Sequence, residues 1–233
     1  MNTRTPIGFC SGLAVLSAVV ACHAGPLGNS NVGGEYMVGT QNLWPWSFSV
    51  LYESQKRDVT PLGRLQSQQY IGCVGFDPLR WLTVYAGAGS GTTKFSGLSN
   101  PEDNPTYLLG AHFNLLDHQV ASPTMFEERI RINADLQYSV TRADSGIDWS
   151  EFYGSLTVSI VNDVEGNKIF LPNSIALFVG PVFSDLESDV FDEESTTGYT
   201  LGIEVFLSEK VSLGYALEEL DGSSYTVGLN VRF

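Results

Sequence analysis

The sequence predicts an all-β chain: an antiparallel up-and-down transmembrane β-barrel of about ten strands, with eight and twelve as the alternative counts. Three observations carry this. Segment after segment alternates apolar and polar residues with the period of two that puts a strand's apolar side chains on one face. Aromatic residues make up 12% of the 233 residues and charged ones only 16%, a balance that suits extensive β structure with interfacial rings. Finally, no apolar run of about 18 residues follows the first two dozen positions, so no helix is long enough to span, and a chain that crosses a membrane must do so as a closed sheet with every backbone group paired.

The chain divides into residues 1–24, an irregular lead-in 25–43 rich in Gly, Asn and Pro, and a strand-bearing unit 44–233. Residues 1–24 read as a cleavable export leader. Arg4 is the early charge, Ile7 to Val20 is largely apolar, and Cys22-His-Ala24 ends on a small residue before Gly25. The apolar core is shorter than a retained anchor needs. Val19-Val-Ala-Cys22 loosely resembles the box before a lipidated cysteine but lacks the usual Leu, so lipidation of Cys22 stays open. Removing the leader takes away one basic residue and no acidic one from a chain already at −14. Such a surface excludes nucleic acid, whose phosphates need basic partners. Cys10 and Cys22 leave with the leader, so Cys73 has no disulfide partner and is expected to pack as a small apolar side chain on a strand.

The elements follow in order. Trp44, Trp46, Phe48, Val50 and Tyr52 share one phase, with Ser47, Ser49 and Glu53 on the other. Tyr70, Val74 and Phe76 mark the second strand, ended by the turn Asp77-Pro-Leu-Arg80, where Pro fixes φ. Leu82 to Ala88 make the third, with Gly87 and Gly89 on the opposite face; Tyr107 to Leu115 the fourth; Ile130 to Val140 the fifth and cleanest. Phe152 to Ile160, Ile175 to Phe183, Tyr199 to Leu207, Val211 to Tyr215 and Tyr225 to Phe233 complete the ten. Gln55–Gln66, Ser90–Pro105, Arg142–Asp148, Ser184–Thr197 and Glu218–Ser224 are expected as connections on one side. The turns at Asp77–Arg80 and Ser208–Lys210 are expected on the other. With alternate strands reversed, the aromatics fall into two belts, Tyr52, Tyr70, Tyr107, Tyr138, Phe152, Phe183, Tyr199 and Tyr225 at one end and Trp44, Trp46, Phe76 and Phe233 at the other, as rings at headgroup level should.

The last strand carries a more specific signal. Tyr225, Val227, Leu229, Val231 and Phe233 alternate with Thr226, Gly228, Asn230 and Arg232, and the sequence ends on an aromatic residue in the apolar phase. This ending resembles the final strand of bacterial outer-membrane β-barrels, and the whole of residues 44–233 is similar to a small barrel of the porin-like or OmpA-like transmembrane type. The resemblance implies an outer-membrane location, with membrane lipid and the barrel-assembly machinery as partners. It also implies that Tyr225, Val227, Leu229, Val231 and Phe233 form the assembly signal. Function is then expected to be a structural or surface scaffold or a narrow porin-like channel. A barrel enzyme acting on lipids and a secreted soluble all-β protein are the alternatives.

Signals for catalysis are thin, and neither an enzyme nor a cofactor is expected. His112 and His118 lie in no nucleophile or metal motif. Gly87-Ala-Gly-Ser-Gly91 lacks the Lys-Ser/Thr of a phosphate loop and no helix follows it. The acidic stretch 184–194, with Asp185, Glu187, Asp189, Asp192, Glu193 and Glu194, offers hard oxygens that could take a divalent cation weakly, although Val190 stands where a calcium loop needs Gly. The inward phase supplies Arg131, Asp135, Glu204, Arg232 and His112, charges of both signs at similar depth. In a confined lumen these are expected to pair.

Overall fold

Each long strand of this protein pairs with the long strands before and after it in the chain, and the last closes on the first. The computed structural model describes residues 45–79, 81–97, 101–120, 127–143, 146–163, 174–193, 196–208 and 210–233. The readings of the leader, of Cys22, of the lead-in, and of Trp44, Arg80 and Glu194 lie outside the described residues. The strands are β1 (Trp46–Thr60), β2 (Gly63–Leu79), β3 (Leu82–Phe95), β4 (Glu102–Val120), β5 (Glu127–Arg142), β6 (Asp148–Asp163), β7 (Ser174–Ser188), β8 (Asp192–Glu193), β9 (Thr197–Ser208), β10 (Val211–Glu219) and β11 (Ser223–Arg232). All pairings are antiparallel, and β11 joins β1 with Val50 opposite Leu229. Ten long strands make the ring, and the two-residue β8 is an eleventh piece.

On β1 the outward residues Trp46, Phe48 and Val50 are exposed, and the alternating Ser47, Ser49 and Glu53 are buried. The same inversion holds on β5, where exposed Leu136 and Tyr138 alternate with buried Arg131, Asn133 and Asp135. A water-soluble barrel would bury the first set and expose the second. The apolar band is edged by rings at both ends. Tyr52 and Tyr70 lie 4.8 Å apart across the β1–β2 ladder, and Trp46 and Phe76 lie 4.7 Å apart at the other edge. We call the Trp46 end the lower rim and the opposite end the upper rim.

The strands overshoot the band. β1 has 15 residues and β2 17, where about 9–11 suffice for a tilted strand to span. The segment expected as the connection Gln55–Gln66 is instead ladder, with Gln55 opposite Ser67 and Val59 opposite Gly63. Ser90 likewise stands opposite Pro105, inside the β3–β4 ladder. The β1–β2 reversal takes only Pro61 and Leu62, and Gly63 supplies its positive φ of 78°. Beyond Tyr52 and Tyr70 the outward face becomes polar, with Lys56, Asp58, Arg64, Gln66 and Gln68. The inward face, polar through Arg57 and Ser67, gains an apolar cluster at its top: Val59, Leu65, Phe95, Ala143, Trp149, Leu186 and Phe191 are buried together. Above the membrane band the barrel is thus an ordinary water-soluble β structure with a small core.

A shorter circuit closes between β7 and β1. Glu193 pairs with Val59 and Asp192 with both Thr60 and Glu187, so β8 bridges β1 to β7 above the short strands β9–β11. The ten-stranded ring of the membrane band therefore narrows to eight at the upper rim. Eight strands enclose only enough room for side chains.

Candidate functional site: the filled lumen

At the lower rim, charged side chains from adjacent or nearly adjacent strands meet in pairs. Arg232 on β11 contacts Asp77 of β2, which also accepts a bond from Thr83 Oγ1 at 2.6 Å. Arg131 on β5 places Nε 2.9 Å and Nη2 2.8 Å from Asp117 Oδ2 on β4. Asp117 reaches the lumen because β4 slips register between Asn114 and Leu116. One extra residue moves the following side chains to the other face. Glu204 on β9 accepts a bond from Ser212 Oγ at 2.7 Å. Higher up, the cross-strand neighbours His112 and Asp135 lie 2.6 Å apart, Nδ1 to Oδ1.

The five residues expected as a lumen charge cluster are all inward and buried. They do not form one cluster, however. His112 and Asp135 pair within the set, while Arg131 takes Asp117, beyond the expected end of the fourth strand at Leu115, and Arg232 takes Asp77, in the expected turn Asp77–Arg80.

At mid-height Leu51, Ile71, Cys73, Tyr85 and Leu108 form an apolar cluster on the lumen side of β1–β4. Cys73 is fully buried there, as a small apolar side chain. The Tyr85 ring occupies the space that a Cβ on Gly110 would need, so only glycine fits at that point of β4. Above this cluster lies a cavity of about 20 Å³ walled by Glu53, Gln69, Glu151, Tyr153 and Glu218 among others. That is room for roughly one water.

Over the cavity Arg57 spans the barrel from β1. Its guanidinium donates to Glu151 Oε1 at 2.6 Å and Ser184 Oγ at 3.0 Å, and it contacts Glu193 of β8. Ser184 in turn donates to Glu151 at 2.7 Å. Glu193 also accepts the Leu186 amide at 3.2 Å. Burial pushes the Glu193 carboxyl up to about 7; Arg57 opposes the rise and Glu151 adds to it. An aromatic cap stands at the mouth, where the rings of Phe95, Trp149 and Phe191 lie 5.7–6.3 Å apart at steep angles. The β10–β11 turn seals the short side, its Leu220 packed on Tyr153 and Val182.

Apolar outside, polar inside and edged by rings, this is a barrel of the transmembrane type. No protein-family model matches the chain, and no curated protein matches it. Among solved structures it is similar to an outer membrane channel from Pseudomonas putida F1, at 11% identity over 86% of this chain and 98% of that one, TM-score 0.41. It is also similar to the transport unit of the autotransporter AIDA-I from Escherichia coli, at 10% identity over 88% and 96%, TM-score 0.44. The translocator domain of the autotransporter NalP from Neisseria meningitidis follows, at 10% identity over 81% and 88%, TM-score 0.31.

The acidic stretch 184–194 is divided by the fold. Asp185, Glu187 and Asp192 point outward, while Glu193 turns in to Arg57. Among the described residues no three Asp, Glu, His or Cys side chains gather as a metal site. The residues of the expected assembly signal line the closing seam. Tyr225, Val227, Leu229 and Val231 stand opposite Ser54, Tyr52, Val50 and Phe48, and Phe233 is exposed beside Trp46.

Proposed function

We propose that the protein is an integral outer-membrane barrel that stands closed, serving as a structural and surface scaffold. The observation that carries this reading is the interior: ion pairs, an apolar cluster, the Arg57 bridge and an aromatic cap follow one another from rim to rim, around a cavity of about 20 Å³. Membrane lipid is its solvent partner, and the barrel-assembly machinery its route of insertion. Catalysis has no part in this reading, since His112 and Asp135 are each 1% exposed, inside the wall and away from lipid. A second reading, a narrow gated channel, draws support from β8, a two-residue closure that could leave without unmaking the ring.

Fractionation of producing cells, with heat-dependent gel mobility of the extracted protein, tests the location. A heat-shifted band in the outer-membrane fraction is expected, and recovery wholly as a soluble periplasmic species would refute it. Liposome swelling in small sugars tests closure. Protein-bearing vesicles should swell no faster than empty ones.

A further inference from the structure

The cavity beneath the Arg57 bridge gathers more carboxyl groups than cations. Glu53, Glu151 and Glu218 all line it. Arg57 is the cation whose field reaches Glu53 and Glu218, and its guanidinium is already held by Glu151 and Glu193. Directly across the β1–β2 ladder from Glu53 stands Gln69, 4% exposed. Its amide nitrogen donates to Ser67 Oγ at 3.0 Å. Its carbonyl oxygen, buried in the same wall, has no hydrogen-bond partner. Buried acceptors in folded proteins are nearly always satisfied, so an unsatisfied oxygen beside clustered carboxyl groups marks a place for a water or a cation.

We infer that this cavity binds one hard divalent cation of the calcium class, held by Glu53, Glu218 and the Gln69 carbonyl oxygen. The cavity wall offers carboxylate, amide and hydroxyl oxygens and neither His nor Cys, a donor set that suits hard cations and not the thiolate- or imidazole-seeking metals. Two carboxylates neutralise one divalent charge. Calcium accepts carboxylates, amide carbonyls and hydroxyls in flexible geometry, whereas magnesium keeps several waters, and a space of about 20 Å³ holds one ion without a hydration shell. Ser224, the cross-strand neighbour of Glu218, lines the cavity and adds a hydroxyl. The ion would bind whether or not the barrel conducts.

The full barrel, unfolded with EGTA and refolded in detergent with CaCl₂, is dialysed to count retained calcium while thermal unfolding is followed in parallel. An ion that binds the folded state alone raises the unfolding temperature by mass action. One retained calcium per barrel is expected, with a melting temperature that rises with calcium. Both should be lost in Glu53→Gln and Glu218→Gln and kept in Asp185→Asn/Glu187→Gln, which removes outward carboxylates. If a Gln variant fails to fold, Gln69→Leu decides, since it keeps both carboxylates and should weaken calcium binding at least tenfold. No retained calcium in the wild type, or equal retention by the lumen variants, would overturn the site.

Discussion

Arg57 Nη2 lies 2.6 Å from Glu151 Oε1, although β1 and β6 are five strands apart in either direction round the ring. One side chain therefore ties opposite walls of the barrel together, and by also contacting Glu193 it fastens β8 to them. Truncating Arg57 leaves two buried carboxylates without their cation. Breaking a buried pair by removing one partner costs about 3–5 kcal/mol. Arg57→Ala should lower the urea midpoint of the folded barrel accordingly, and Glu151→Gln/Glu193→Gln in the same background should recover part of the loss. An unchanged midpoint for Arg57→Ala would show that the bridge contributes nothing.

The aromatic cap should behave as a core even though it sits at a barrel mouth. Trp149 and Phe191 are buried against Phe95, and Trp→Ala or Phe→Ala in a packed core costs about 3–5 kcal/mol. Denaturant titration of Trp149→Ala is expected to give a loss of that order. A loss below about 1 kcal/mol would mean that the cap is loosely packed.

The outward face should change its tolerance for charge at the tyrosine belt. Leu136 lies in the apolar band, where an Arg costs roughly 2–4 kcal/mol. Gln68, outward on β2 and beyond Tyr70, lies in water. Folding into vesicles followed by urea unfolding should show Leu136→Arg strongly destabilised and Gln68→Arg near wild type. Equal losses would place the membrane boundary elsewhere.

The docking of β8 should depend on pH. Glu193 is held at about 7 when docked, against an ordinary 4.5, and returns to that value when β8 swings free. The docked state then binds the proton more tightly. Docking is strongest below about 4.5, weakens as pH rises towards 7 and levels off above it. Hydrogen-exchange protection of the β1 amides beside β8, corrected for intrinsic rates, should be greater at about pH 5 than at about pH 8. Greater protection at the higher pH would mean that the ion pair with Arg57 outweighs the cost of burying the charge.

Much of the membrane section is legible in the sequence because lipid outside and polar lumen inside enforce strict alternation. Ile130 to Val140 reads correctly residue by residue, and the inward placement of Arg131, Asp135 and His112 follows from parity alone. The upper barrel is not legible, because there the rule inverts. Past Tyr52 the apolar residues move from the even phase to the odd, ending at Val59, and the polar stretch between them looks like a loop. Asp117 is hidden by a single extra residue in β4, which no alternation count reveals. Strand β8 is too short to show a period. The Arg57–Glu151 contact joins residues 94 apart, and it depends on ring closure and not on any local pattern.

Whether the lumen is filled is tested most directly by single-channel recording in planar bilayers. The wild-type protein should give no steady open level at moderate voltage. Arg57→Ala combined with Trp149→Ala and Phe191→Ala, which removes the bridge and the cap, should give small, fluctuating currents. A large, steady, weakly selective conductance from the intact barrel would contradict a filled lumen.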